Sequence, residues 1–231
     1  MVDDLKKSVL KANLDLVKKG LVIQTWGNAS GRDKDSGLIV IKPSGVSYDL
    51  MQTEDMVVLD PEGRVVEGNY RPSTDAPTHV LLYKSYPEIG AVVHTHSTYA
   101  TSWAQAGRSI PALGTTHADH FYGEVPCTRQ LEKQEITDDY ESNTGKVIIE
   151  TLGNNPPMSV PSILVCCHGP FSWGKTPEEA VIIAVALEEI ARIAFYTLLL
   201  GKDEPVDQYL LDKHFGRKHG TDSYYGQKKE N

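Results

Sequence analysis

Between Leu21 and Glu67 the chain carries four short β-type runs, Leu21-Val22-Ile23, Leu38-Ile39-Val40-Ile41, Met56-Val57-Val58-Leu59 and Val65-Val66, punctuated by turn residues. Strands that follow one another through turns pair antiparallel, because a parallel pair needs a long crossover. The Asp60-Pro61-Glu62-Gly63 break reads as a hairpin turn. Helices interrupt this pattern irregularly. Leu5, Val9, Ala12 and Leu16 recur at helical spacing with Gly20 as a stop. Asp75-Ala76-Pro77 opens a helix that ends near Tyr86, before Pro87, and another spans about Ala100 to Ala106. Thr176-Pro177-Glu178-Glu179 combines a capping Thr, a first-turn Pro and a capping-box Glu, and starts a helix that runs to Leu200. Ile89-Gly90-Ala91-Val92-Val93, Val147-Ile148-Ile149 and Ile163-Leu164-Val165-Cys166-Cys167 read as further strands. The βαβ rhythm of a doubly wound parallel fold is absent. With no repeat, low-complexity tract or linker, residues 1–231 are expected to form a single α/β domain: a mixed, largely antiparallel sheet covered by helices.

The 231 residues, 40% hydrophobic and 23% charged, are enough to bury a sizeable core. A net charge of -8 and the lack of a basic block argue against nucleic-acid binding. An anionic substrate would need a locally positive pocket. Cys127, Cys166 and Cys167 are too few for a disulfide framework, so a reduced, cytoplasmic chain is expected. The N-terminus mixes charges and lacks a signal peptide's apolar core. The longest apolar stretch, Ala180 to Leu200, carries Glu188, Glu189 and Arg192 at its middle, which suits a buried or interface helix and not a membrane span.

His94-Thr95-His96 carries the strongest chemical signal. At the end of the Ala91-Val92-Val93 strand, alternation projects both imidazoles from one side, which is half of a metal site. The same pair also suits polar residues leaving a buried strand. His168 ends another strong run before Gly169-Pro170 and could supply a third nitrogen. Asp75 is the leading acidic candidate, although its local sequence favours an N-cap. Cys166 and Cys167 read as small core residues, and His79, His120, His214 and His219 as packed or exposed side chains. Three segments suit an anion: Thr25-Trp26-Gly27-Asn28-Ala29-Ser30, Lys42-Pro43-Ser44-Gly45 and Arg71-Pro72-Ser73-Thr74-Asp75. Each pairs small residues, whose N–H groups can approach a ligand, with polar donors, and the third runs into a helix N-terminus.

Seven stretches together, in order and spacing, resemble the epimerase branch of the class II aldolase/adducin family: Thr25-Trp26-Gly27-Asn28, Ile41-Lys42-Pro43-Ser44-Gly45-Val46, His94-Thr95-His96-Ser97, Gly114-Thr115-Thr116-His117-Ala118-Asp119, Ile148-Ile149-Glu150-Thr151, His168-Gly169-Pro170-Phe171 and Tyr224-Tyr225-Gly226-Gln227. The resemblance implies an α/β/α sandwich on a central, mainly antiparallel sheet, assembled as a cyclic homotetramer with active sites between subunits. It implies one Zn²⁺ per subunit held by Asp75, His94, His96 and His168, which reverses the local preference for Asp75 as a cap. It assigns the substrate phosphate to Gly27, Asn28, Ser44, Gly45, Ser73 and Thr74, helped by Lys42; Thr74 stands where serine is commoner. The implied activity interconverts L-ribulose 5-phosphate and D-xylulose 5-phosphate, in arabinose or ascorbate breakdown.

In L-ribulose 5-phosphate the hydrogen on C4 is not α to the C2 carbonyl, so deprotonation there yields an unstabilised carbanion. Retro-aldol cleavage of C3–C4 instead leaves an enediolate, whose charge a metal can stabilise. Turning the released aldehyde and re-adding it inverts C4. Proton transfer at the C4 oxygen is then needed on two faces, so two acid/base groups are expected. The resemblance assigns these to Asp119 and Tyr225, the latter from a neighbouring subunit. A zinc-dependent aldolase of the same superfamily is the nearest rival, but usually carries Glu where this chain has Asp75. A non-catalytic scaffold like the adducin head would not need four metal ligands.

Overall fold

In the computed structural model, which describes residues 2–220 and 223–224, side-chain alternation along short strands organises the whole molecule. The strands are β1 (Gly27–Arg32), β2 (Ile39–Ile41), β3 (Val57–Leu59), β4 (Val65–Glu67), β5 (Ala91–Thr95), β6 (Ser162–Val165) and β7 (Gly169–Gly174). They form one sheet of order β4-β3-β2-β1-β5-β7-β6, antiparallel at every pairing.

Odd and even positions on a strand face opposite layers. Ile39, Ile41, Val57, Leu59 and Val92 face α2 (Ala76–Ser85) and α6 (Tyr140–Leu152), clustering with Val80, Leu82, Val147 and Ile148. Ala29, Val40, Val58, Ala91 and Val93 face the other way, onto Val9, Ala12 and Leu16 of α1 (Val2–Lys18) and Ala180, Val181 and Ala184 of α7 (Pro177–Leu199). On that second side α3 (Thr98–Gln105) packs Ala100 and Trp103 against Leu187 and Ala191 of α7. The result is the expected α/β/α sandwich on an antiparallel sheet. Short helices α4 (Thr115–Ala118) and α5 (Lys133–Asp138) lie in the connections, and α8 (Gln208–His219) packs on α4. Among the described residues no helix is long and apolar enough to cross a membrane.

Several sequence expectations are corrected. Val147-Ile148-Ile149 lies inside α6, where Thr144, Val147, Ile148 and Leu152 are buried at helical spacing; tertiary packing overrides the β-branched run. Leu21-Val22-Ile23 is the turn leaving α1, with Leu21 and Val22 buried and Ile23 exposed. The strand through Ile163 stops at Val165, so Cys166, Cys167 and His168 form the turn into β7. Cys167 is exposed and Cys166 half-buried, so neither is a core residue.

Two of the central strands, β1 and β7, carry no apolar run. Helices lie so close on them that small residues are required. A Cβ on Gly31 would sit 2.8 Å from Leu5 Cδ1 and 3.1 Å from Pro177 Cγ. On Gly174 it would meet the Ala180 backbone nitrogen at 2.8 Å. Residues 27–30, expected as an anion loop, are therefore a buried strand, in which Ser30 binds His79 and Tyr83.

Candidate metal centre

His94 is two residues after Val92, so its ring leaves β5 on the same face, toward α2 and α6. Phe171 of β7 stacks against it with ring centroids 4.3 Å apart. His94 Nδ1 lies 2.9 Å from the Pro170 carbonyl oxygen. A carbonyl only accepts, so Nδ1 carries the proton and Nε2 keeps its lone pair. His96 follows just beyond the strand end, and its Nε2 is 3.1 Å from that of His94. His168 enters from the β6–β7 turn, where Cys167 adopts a φ of 62°.

One ligand atom from each of the three rings lies within 4.8 Å of the others, and no second His/Cys/Asp/Glu group of this kind occurs among the described residues. Burial and the neighbouring His94 push His168 down to about 3 and hold His96 below the ordinary imidazole range. Neutral imidazoles converging on one point are a donor set that fits a divalent cation. Tyr140, the first residue of α6, places its hydroxyl 3.2 Å from His168 Nδ1.

Asp75 occupies the N-cap position of α2 but makes no capping bond. Its carboxylate instead accepts from Asn28 Nδ2 at 2.5 Å. Burial opposes its ionisation, yet the adjacent His94, His79 and His168, with the Asn28 amide, hold its pKa below the usual carboxylate range. Asn28 sits opposite His94 in the β1–β5 register, and its Oδ1 is buried without a partner.

The rings form one wall of a cavity of about 390 Å³. Gly27, Asn28, Lys42, Ser44, Gly45, Ser73, Thr74 and Asp75 line the rest with Thr25, Trp26, Tyr140 and Glu141. The two loop segments are zipped together: Ser44 N–H donates to Arg71 O and Ser73 N–H to Lys42 O, both at 2.9 Å. Gly45 turns with a φ of 69°, a conformation glycine adopts without strain. Lys42 is buried, with Nζ 3.0 Å from the Pro43 carbonyl and 4.9 Å from the centre of the Tyr48 ring, and desolvation lowers its pKa. It is the only cationic side chain lining this cavity among the described residues. A larger cleft, of about 630 Å³, shares Ser73 and Thr74 but reaches none of the histidines.

Asp119 is not brought to this cavity. It ends α4, and its carboxylate accepts from Arg217 Nε and Nη2 at 2.9 and 2.6 Å and lies 3.0 Å from His214 Nδ1. Tyr225 lies outside the described residues. Sequence reasoning missed Tyr140 and Glu141, which stand at the start of a helix whose interior reads as a strand.

The chain matches the Class II Aldolase and Adducin N-terminal domain family over residues 7–195. It is 58% identical over 225 residues to the L-ribulose-5-phosphate 4-epimerase UlaF of Salmonella typhi, covering 97% of this chain and 99% of that one. The same identity and coverage hold for the protein of that name from Salmonella paratyphi A. Among solved structures, an L-fuculose 1-phosphate aldolase superposes with a TM-score of 0.80 at 26% identity, over 93% of this chain and 95% of that one.

Proposed function

The chain belongs to the class II aldolase and adducin N-terminal domain family, and on that premise we propose that it is a metal-dependent L-ribulose-5-phosphate 4-epimerase. The reaction interconverts L-ribulose 5-phosphate and D-xylulose 5-phosphate by breaking and re-forming C3–C4, in cytoplasmic pentose catabolism fed by arabinose or ascorbate. One observation carries this reading: the convergent imidazoles and the two zipped backbone loops line the same cavity.

His94, His96 and His168 would hold the cation, taken as Zn²⁺, with Asp75 as the acidic member of the set. When bound, it supplies Lewis-acid stabilisation of the charge that develops on the C2 and C3 oxygens. The protein's own groups do the rest. The Pro170 carbonyl holds His94 with Nε2 unprotonated, and the Tyr140 oxygen can accept from His168 Nδ1–H and fix the same tautomer there. Lys42 and the 44–45 and 73–74 segments grip the phosphate, which keeps the aldehyde fragment bound while it turns. One Asn28 Nδ2 hydrogen goes to Asp75, and the second remains available to a phosphate oxygen.

Asp119 and Tyr225 act as the two acid/base groups. Arg217 of α8 grips Asp119, and the Tyr224 N–H donates to Arg217 O at 3.1 Å, so Asp119 lies beside the segment that leads into Tyr225. Neither Asp119 nor Tyr224 lines the cavity of its own protomer. Asp119 is therefore assigned to the cavity of an adjoining subunit in a cyclic homotetramer, where the family resemblance also puts Tyr225.

Incubating the purified protein with L-ribulose 5-phosphate tests the reading. D-xylulose 5-phosphate is the expected product. Accumulating free ketone and aldehyde fragments would favour the aldolase reading, which the likeness to an L-fuculose 1-phosphate aldolase keeps in view. Tyr140→Phe is expected to weaken metal affinity about tenfold, the lower end for losing a partner behind a metal-bound histidine. Competition with a chromogenic chelator measures it, and an unchanged affinity removes Tyr140 from that role.

A further inference from the structure

The three cysteines are unused by the metal centre, and two of them, Cys166 and Cys167, stand together. Cys166 Sγ is 3.8 Å from Cys167 Sγ. The backbone holds this arrangement. Cys166 N–H donates to Thr128 Oγ1 and Cys167 N–H to the Ala104 carbonyl, each at 3.0 Å. Cys167 has a φ of 62° and an exposed side chain, so one edge of the group is open to reagents. None of the three lines the cavity of the histidines.

We propose that Cys166 and Cys167 form a capture site for trivalent arsenic compounds. Trivalent arsenic is soft and pyramidal, and two neighbouring thiols chelate it. With an organoarsenic oxide, two S–H bonds break and two As–S bonds form as the arsenic-bound oxygen leaves with both protons as one water. With arsenious acid, two thiols replace two hydroxyls and release two waters, and one hydroxyl stays on the arsenic. Arsenic stays trivalent throughout, so no oxidant is required.

Cys167 is bonded directly to His168, so an adduct constrains the turn that delivers this imidazole. Weaker metal retention should follow. That consequence rests on the metal-centre reading; the capture itself does not.

Native mass spectrometry of the full chain with phenylarsine oxide decides the site. One phenylarsenic adduct per chain is expected, reversed by 2,3-dimercaptopropanol but not by 2-mercaptoethanol. Cys166→Ser and Cys167→Ser should each bind about a hundredfold more weakly, the scale set by losing a tethered second ligand. Cys127→Ser, which leaves both chelating thiols in place, should keep the phenylarsenic adduct at wild-type affinity. Equal binding by wild type and Cys167→Ser, whose side chain is exposed, or release by the monothiol, overturns the proposal. Chelator-accessible metal, followed with and without the adduct, reads the coupling separately; unchanged release overturns the coupling alone.

Discussion

His96→Asn is expected to abolish metal retention and lower turnover about a thousandfold, since Lewis-acid stabilisation of ~4 kcal/mol corresponds to three decades in rate. His96 is the test position because it stands just beyond β5, whereas His94 is also stacked on Phe171 and bonded to Pro170. Asparagine keeps a polar side chain of modest size but removes a neutral imidazole nitrogen from a convergent set of three. The fold should survive, because the sheet registers and both hydrophobic layers do not involve this side chain. Metal content by atomic emission and the initial rate should fall together. Full activity in a metal-free variant would remove the metal from the chemistry.

Tyr225→Phe is expected to slow epimerisation by about 10²–10³, the range of a lost general acid/base, while metal content stays at the wild-type level. Inverting C4 through an aldehyde that turns over requires proton transfer at the C4 oxygen from two directions. One fixed side chain cannot serve both. Asp119 is the other candidate, and its tie to Arg217 keeps it ionised and in place against burial. Asp119→Asn should therefore also slow the reaction, but with a second cost: Arg217 and Lys218 lose their shared anion and His214 its carboxylate partner, loosening α8. The tyrosine is the cleaner test for that reason. A rate unaffected by Tyr225→Phe excludes it from the mechanism.

The sandwich and much of the cavity are legible in the sequence because their signals are local. Alternation in β2, β3 and β5 shows in Ile39-Val40-Ile41, Val57-Val58-Leu59 and Ala91-Val92-Val93, and it also puts His94 on a defined face. The turn at Asp60 is visible for the same reason, its N–H donating to Arg64 O as a tight hairpin requires. β1 and β7 are hidden because their composition answers to the helices above them: Gly31 and Gly174 exist to let α1 and α7 approach. α8 is hidden because Leu211 is its only buried residue among those described, leaving no apolar stripe. Asp75 shows the limit of local reading most clearly. Its sequence context is a cap, but the side chain faces Asn28 and the histidines, neighbours far away in the chain. Tyr140 is invisible until α6 is known to start beside the β6–β7 turn.

The central claim is that C4 inverts by breaking a carbon–carbon bond, held together by a metal wall and a phosphate grip in one cavity. Running the reaction on L-ribulose 5-phosphate in D₂O and resolving the product by NMR tests it most directly. The account predicts D-xylulose 5-phosphate that retains its original hydrogen at C4. Deuterium at C4, or free two- and three-carbon fragments in place of the pentulose, would contradict it.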